Sequence, residues 1–414
     1  MTDQRNKGRW RDKARARAEG EIRLESEGLR DRADYFPELG YFLELLADGG
    51  DPGPTARRAG RPTAAVLCLQ APLELIHAHG FQPFKIFGGV SAAAGLAAPS
   101  LPAIMCPMLR SAVGKAMLGE TAGPGTTALW VLPTTCDWSV KLPAMLERCG
   151  LEIPVPSHRL ELPRLKDRPE SQERWLEEVY GLRNFLRGIS GLKRLRPALK
   201  NSMELYQRAW RALVGLAELK RTGRVAEAWA LVIANSFFFD RVETWTARLE
   251  GVLPRLRENR PRGGGRPVFL AGSPVFFPNL KIPRLLEEAG LDVVMDDLCS
   301  SERLLPGAAR YDDDSEHGLL KALAQRYHQG CLCPTFADND RRVNNIVSPA
   351  HRALFRGVVH QVLKGCHPFD LEGLLLEERV RAEGLKFIRL ETDYGAEDGQ
   401  NILTRLEAFR GTLG

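Results

Sequence analysis

Short apolar runs of strand character alternate with helix-like stretches in two separate parts of this chain, and that alternation limits its fold more than any other feature. The first series starts at Arg61. Residues 62–69 read as a strand, and 72–79 as a helix ended by Gly80. Residues 84–87 read as strand, 108–117 as helix, 128–132 as strand and 140–149 as helix. The second series starts at Pro267. Strands are expected from Val268 to the turn at Gly272-Ser273, then at 293–295, 357–363 and 387–390. Helices are expected at 282–289, closed by Gly290, and at about 401–409. Strands joined in sequence by helices build parallel, doubly wound sheets.

Between the two series the periodicity changes. Trp175, Leu176, Val179, Leu182, Phe185 and Leu186 recur at three- and four-residue steps, as do Leu213, Leu216 and Leu219, which marks helices. Gly263-Gly264-Gly265 reads as a linker. A length of 414 residues exceeds one ordinary hydrophobic core. The expected organisation is a charged N-terminal helix or arm (1–35), a first α/β domain (36–165), a helical region (166–262) and a second α/β domain (263–414).

Composition excludes several classes of protein. The chain is 44% hydrophobic and 27% charged, as a globular protein is, with a formal net charge of +6. That charge is spread out, whereas nucleic-acid binding needs a concentrated basic face. The most basic internal stretch, 183–200, carries apolar residues at helical spacing and reads as a solvated helix face. No apolar run is long enough to cross a membrane. Residues 1–30 lack the apolar stretch of a secretory signal, so the expected location is cytoplasmic, where thiols stay reduced. The eight cysteines then read as ligands, catalysts or packing groups and not as disulfides.

Six of them fall in expected loops. Cys136, Cys299 and Cys366 each follow a strand, Cys331 and Cys333 flank Leu332, and Cys106 precedes Pro107. Ligands of open α/β sheets bind beyond the carboxyl ends of strands, so cysteines there converge on one place. Cys68, inside an apolar run, and Cys149, late in a helix, read as packing residues. Four thiolates suit zinc, although zinc sites favour two close pairs and only one is present. Soft thiolates suit iron–sulfur clusters equally, and six of them fit two linked cubanes with three each. The residues alone define a thiolate metal site between two α/β domains. No phosphate-binding Gly-x-x-x-x-Gly-Lys-Ser/Thr loop is present. Ser273 lacks a matched His/Asp arrangement, so no catalytic residue is identified. His367, beside Cys366, is weighed as a hydrogen-bond or proton donor against an ordinary capping histidine.

An ordered set of short motifs resembles the 2-hydroxyacyl-CoA dehydratase and benzoyl-CoA reductase family over about residues 35–412. The set comprises Pro72-x-Glu74-Leu75 with Gly80, Cys106-Pro107 with Arg110-Ser111, and Thr135-Cys136-Asp137. It continues through Gly272-Ser273-Pro274, Glu287 to Gly290, Asp296-Asp297-Leu298-Cys299 and Cys366. It closes with Glu391-Thr392-Asp393-Tyr394, Gln400, Thr404-Arg405 and Glu407-Ala408-Phe409. The resemblance implies two Rossmann-like domains with a helical region, and a 4Fe-4S cluster held between them by Cys106, Cys136 and Cys366. It also implies a separate ATP-hydrolysing iron–sulfur activator as electron donor. Cys331-Leu332-Cys333 with Arg341-Arg342 is similar to one branch, the double-cubane cluster proteins. These are homodimers whose two cubanes share a sulfide (8Fe-9S), which gives Cys299, Cys331 and Cys333 to the second cubane. The expected function is an iron–sulfur reductase component acting on a small, hard-to-reduce substrate. The alternatives are a single-cluster acyl-CoA dehydratase or aryl-CoA reductase subunit, in a heterodimer, and a non-catalytic metal-binding subunit. The chain departs from the family pattern at Ala71, Leu73 and Ser300-Ser301, and its N-terminal segment has no counterpart there.

Overall fold

The computed structural model describes residues 2–48, 51–86, 88–119, 127–151, 155–348, 351 and 353–414. Two four-stranded parallel sheets organise it. The first contains β1 (Thr63–Val66), β2 (Gln82–Lys85), β3 (Thr127–Pro133) and β4 (Ser157–Leu160) in the order β2-β1-β3-β4. The second contains β5 (Arg266–Gly272), β6 (Leu291–Asp296), β7 (Gly357–Leu363) and β8 (Lys386–Thr392) in the order β6-β5-β7-β8. Each sheet winds outward from its first strand, returns across it, and continues the other way. Helices join the strands in sequence, as parallel pairing requires. The fold is the expected pair of Rossmann-like α/β units, and the order reverses between β1 and β3 and between β5 and β7.

Local sequence explains the strands. β1 and β7 are buried at every residue, as strands of a parallel sheet covered on both faces are, and apart from Thr63, His360 and Gln361 their residues are apolar or glycine. β4, Ser-His-Arg-Leu, buries only Leu160 and pairs only with β3, so the sequence reading does not find it. The strand expected at 84–87 starts two residues earlier, at Gln82, and stops at Lys85; Phe87 is outside the described residues.

Four helices lie between the sheets in sequence: Pro169–Ser190, Leu195–Arg221, Glu227–Ser236 and Val242–Glu258. Their core includes Trp175, Trp229 and Trp245, all buried. The basic stretch 183–200 is not simply solvated. Gly191, at φ 66°, ends the first helix inside it. Arg183 and Arg187 bind Glu316 at 2.7 and 3.2 Å, and Arg196 binds Asp314 at 2.7 Å.

The N-terminal segment is a docked helix, Thr2–Arg30, and not a free arm. It buries Ala18, Ile22 and Leu29. Its Glu21 carboxylate accepts from the backbone of Ser91 and Ala92, both at 2.8 Å, at the start of helix Ser91–Ala97. Among the described residues no helix is long and apolar enough to cross a membrane.

Candidate metal centre

A cavity of about 530 Å³ lies beyond the carboxyl ends of both sheets. Its lining includes Gln70 after β1, Thr135 after β3, Pro274 after β5, Asp297 after β6 and Pro368 after β7. All six cysteines expected as ligands line it: Cys106, Cys136, Cys299, Cys331, Cys333 and Cys366. Cys68, read from the sequence as a packing residue, lines it as well. β1 stops at Val66, so the apolar run outlasts the strand and carries Cys68 into the loop.

Three of the thiols form one group. Cys106, Cys136 and Cys366 are the N-cap residues of helices Pro107–Met117, Asp137–Arg148 and His367–Ala382. The sulfur of Cys136 accepts the backbone N–H of Ser139, whose hydroxyl accepts from the Cys136 backbone in return. Free amides and the positive end of a helix favour the thiolate form. Gly365 brings the group together. At φ 75°, its α-carbon lies so close to the neighbouring loop that a Cβ would stand 1.9 Å from the Ile104 carbonyl and 3.2 Å from the Cys106 nitrogen. Its own carbonyl accepts the Trp138 indole N–H at 3.0 Å. One glycine thus locks all three loops.

The other thiols gather around Arg303. Its guanidinium donates to the carbonyls of Asp297 and Leu332 and faces Cys299, Cys333 and Cys331. Gln70 donates its amide N–H to the Cys331 sulfur at 3.0 Å, and Lys166 donates to the Cys331 carbonyl at 3.0 Å. Cys68 faces Cys331 and Cys333. Cys299 faces Cys68 on one side and Cys366 on the other. The Ser300-Ser301 loop after it is pinned: the Asn235 amide donates to the Ser300 carbonyl at 3.0 Å, and the Ser300 hydroxyl accepts from Val275 N at 3.0 Å.

Burial pushes Cys331 up to about 11 and Cys366 up to about 12, with Cys106 and Cys333 raised further. Alone, these sulfurs stay protonated. A metal supplies the positive charge that a buried thiolate lacks and removes the proton outright. Gln70 Oε1 and Arg303 Nη2 are among the buried polar atoms of the lining that have no hydrogen-bond partner. The donor set therefore suits a sulfur-bound group. Among the described residues no three His, Cys, Asp or Glu converge tightly enough to clasp a single metal ion. The thiols ring a cavity instead of meeting at a point.

The remaining sequence candidates fall outside. Cys149 is capped near Ser100, away from the cavity lining. His367 is exposed, its ring 6.0 Å from that of Trp138, and lies outside the lining, so it stands as an ordinary helix-start residue. Glu74 of the Pro72-x-Glu74-Leu75 motif is fully buried against Arg326 and accepts the Tyr327 hydroxyl at 2.7 Å, which gives it a packing role. Arg342 lines the cavity and pairs with Asp297 and Glu372, while Arg341 bonds the Gln329 carbonyl at 3.0 Å.

Comparison with known proteins gives a consistent result. The model of a family described as the 2-hydroxyglutaryl-CoA dehydratase D-component matches residues 68–413. A protein of Escherichia coli (strain K12), provisionally named dehydratase subunit YjiM, is 26% identical over 363 residues, covering 85% of this chain and 92% of that protein. The lactoyl-CoA dehydratase subunit beta of Anaerotignum propionicum is 21% identical over 84% of this chain and 91% of its own length. The (R)-phenyllactyl-CoA dehydratase beta subunit of Clostridium sporogenes is 20% identical over 86% and 93%.

Proposed function

This chain belongs to the 2-hydroxyglutaryl-CoA dehydratase D-component family, and from that premise we propose that it is the cluster-bearing component of a low-potential iron–sulfur enzyme. Cys106, Cys136 and Cys366 hold one cubane, and Cys299, Cys331 and Cys333 hold a second, bridged as a double cubane. When bound, the clusters supply single electrons at low potential to a small substrate. A separate ATP-hydrolysing iron–sulfur activator recharges the component, and a second copy of the chain completes a homodimer. The relatives' names, which call them subunits, support an enzyme that works with partners.

The observation that carries this reading is the number of thiols on one cavity: more than the four that a single cubane takes. The protein's own groups have defined tasks. Three helix N-termini hold Cys106, Cys136 and Cys366 in a favourable field. Arg303 and Gln70 face sulfurs and offset their negative charge. Phe269, Phe276, Phe369 and Leu109 on the lining exclude water.

A second reading is favoured by the relatives' names, two of which are acyl-CoA dehydratase subunits. There the chain carries one 4Fe-4S cluster on Cys106, Cys136 and Cys366 and acts on a 2-hydroxyacyl thioester. Anaerobic purification with iron and sulfide analysis decides. About eight irons per chain supports the double cubane, and about four supports the dehydratase. Zinc without sulfide overturns both.

A further inference from the structure

Cys68 is absent from the six-ligand reading, yet the fold places it where a ligand belongs. It lies at the carboxyl end of β1, beside β3, where the order of the first sheet reverses. Cys136 follows β3 on the other side of that point. Cys68 shares the cavity with the other six sulfurs.

Its neighbours are those of a bound sulfur. Cys68 faces Cys299, Cys331 and Cys333, and Cys106, Cys136 and Cys366 face one another, with Cys299 standing next to both Cys68 and Cys366. Lys85 at the end of β2 faces both Cys68 and Cys299. Lys85 is buried, its ammonium 4.9 Å from the Phe276 ring and 5.4 Å from the Phe238 ring. Two residues along, Gln70 is 1% exposed, lines the same cavity, donates to Cys331 and leaves its carbonyl oxygen without a partner. A packing cysteine in an apolar run has none of these surroundings.

We infer that Cys68 is a seventh metal-ligating thiol, joined with Cys299, Cys331 and Cys333 in a four-sulfur set distinct from Cys106, Cys136 and Cys366. This rests on the cluster reading above and changes it in one respect: a cubane closed by four protein thiolates has no iron left for a bridging sulfide, so the chain would hold two separate 4Fe-4S cubanes. Four thiolates are the full protein complement of one 4Fe-4S cubane, whereas three leave a position for another group. The two sets are therefore chemically unequal. The set with Cys68 can close its centre with protein sulfur alone, and the set at the three helix N-termini keeps the open position.

The test uses anaerobically purified holoprotein and the same protein stripped of metal by a chelator. Both are treated with iodoacetamide while folded and mapped by mass spectrometry. Cys68 is expected to label at least about tenfold more slowly with metal bound, as Cys331 does, because a ligated thiolate is not free to attack. Cys149 should label alike in both. In parallel, Cys68→Ala should lower iron content and change the electron paramagnetic resonance signal of the reduced protein. Its urea midpoint in the metal-free state should stay unchanged. Protection of the other six with unhindered labelling of Cys68 overturns this inference alone. So does a Cys68→Ala protein with unchanged iron and an unchanged signal, including when Cys68 labels in neither state. Labelling of all seven alike in both states overturns the cluster reading with it.

Discussion

Gln70 and Cys331 stand 261 positions apart in sequence, and the Gln70 amide donates to the Cys331 sulfur at 3.0 Å. The bond crosses the cavity from the first sheet to the loop of the second. A hydrogen bond to a cluster sulfur offsets charge gained on reduction and raises the potential. Gln70→Leu removes the donor and keeps the bulk. The expected outcome is a more negative midpoint potential with iron content unchanged, read by a redox titration followed by electron paramagnetic resonance.

The trio at the helix N-termini gives a second expectation. Cys106→Ala removes a sulfur from a site whose other members sit in adjoining locked loops. Under the double-cubane reading the variant should lose about half of its iron, and under the single-cluster reading nearly all of it. Cys149→Ser, outside the cavity, should keep the full amount. Iron and sulfide analysis of anaerobically prepared proteins measures both.

A third expectation concerns stability. Glu74 and Arg326 form an ion pair in which both side chains are at most 2% exposed, and it ties helix Leu73–Ala78 to helix Glu316–His328. Replacing one partner strands the other charge in the interior. Glu74→Leu should cost about 3–5 kcal/mol in urea unfolding, and Glu74→Leu with Arg326→Leu should recover part of that loss.

These sites were legible in the sequence to very different degrees. β7 matches its expected span residue for residue, because Val358, Val359, Val362 and Leu363 mark it on both sides of the buried polar pair His360-Gln361. β4 is hidden because an edge strand with polar outward residues has no such run. The six loop cysteines were visible from their positions after strands or beside turn residues. Cys68 was not, because hydrophobicity continues through Leu67 and Leu69 after the hydrogen-bonded strand ends at Val66. Pro72 was the available signal: a proline opening the next helix requires a loop before it, and that loop contains Cys68. Helix His367–Ala382 escaped notice for another reason. It leaves Leu371 and Leu374 exposed, so its apolar residues do not form one inward stripe.

Acid should weaken the fold through buried histidines. His360 is fully buried, its Nε2–H donating to the Phe369 carbonyl at 2.9 Å, and burial pulls it from 6.5 down to about 4. A folded-state value below the unfolded one means that the unfolded chain binds the proton first. Stability is therefore complete above about pH 6.5 and falls as pH drops through 4, by about 3 kcal/mol at most for this residue. His79 is lowered to about 4 by the same cause and should add to the fall. Urea midpoints between pH 7 and pH 4 should show the loss, and His360→Gln should reduce it.

Gly365 offers the most direct link between backbone geometry and the candidate metal centre. Its φ of 75° belongs to the left-handed region, and a Cβ there would lie 1.9 Å from the Ile104 carbonyl. Alanine therefore meets both backbone strain and a clash with the loop that leads into Cys106. The loop must move, and it carries one sulfur of the trio away from the other two. The strain alone is about 1–3 kcal/mol. Gly365→Ala should lower the unfolding midpoint and the iron content together. Gly384→Ala separates the two effects. Gly384 has the same φ of 75°, but a Cβ there would meet nothing within 4 Å, and the residue is remote from the cavity lining. That variant should lose a similar increment of stability and keep its iron. Equal iron loss in both would show that strain anywhere, and not the Ile104 contact, governs assembly of the site.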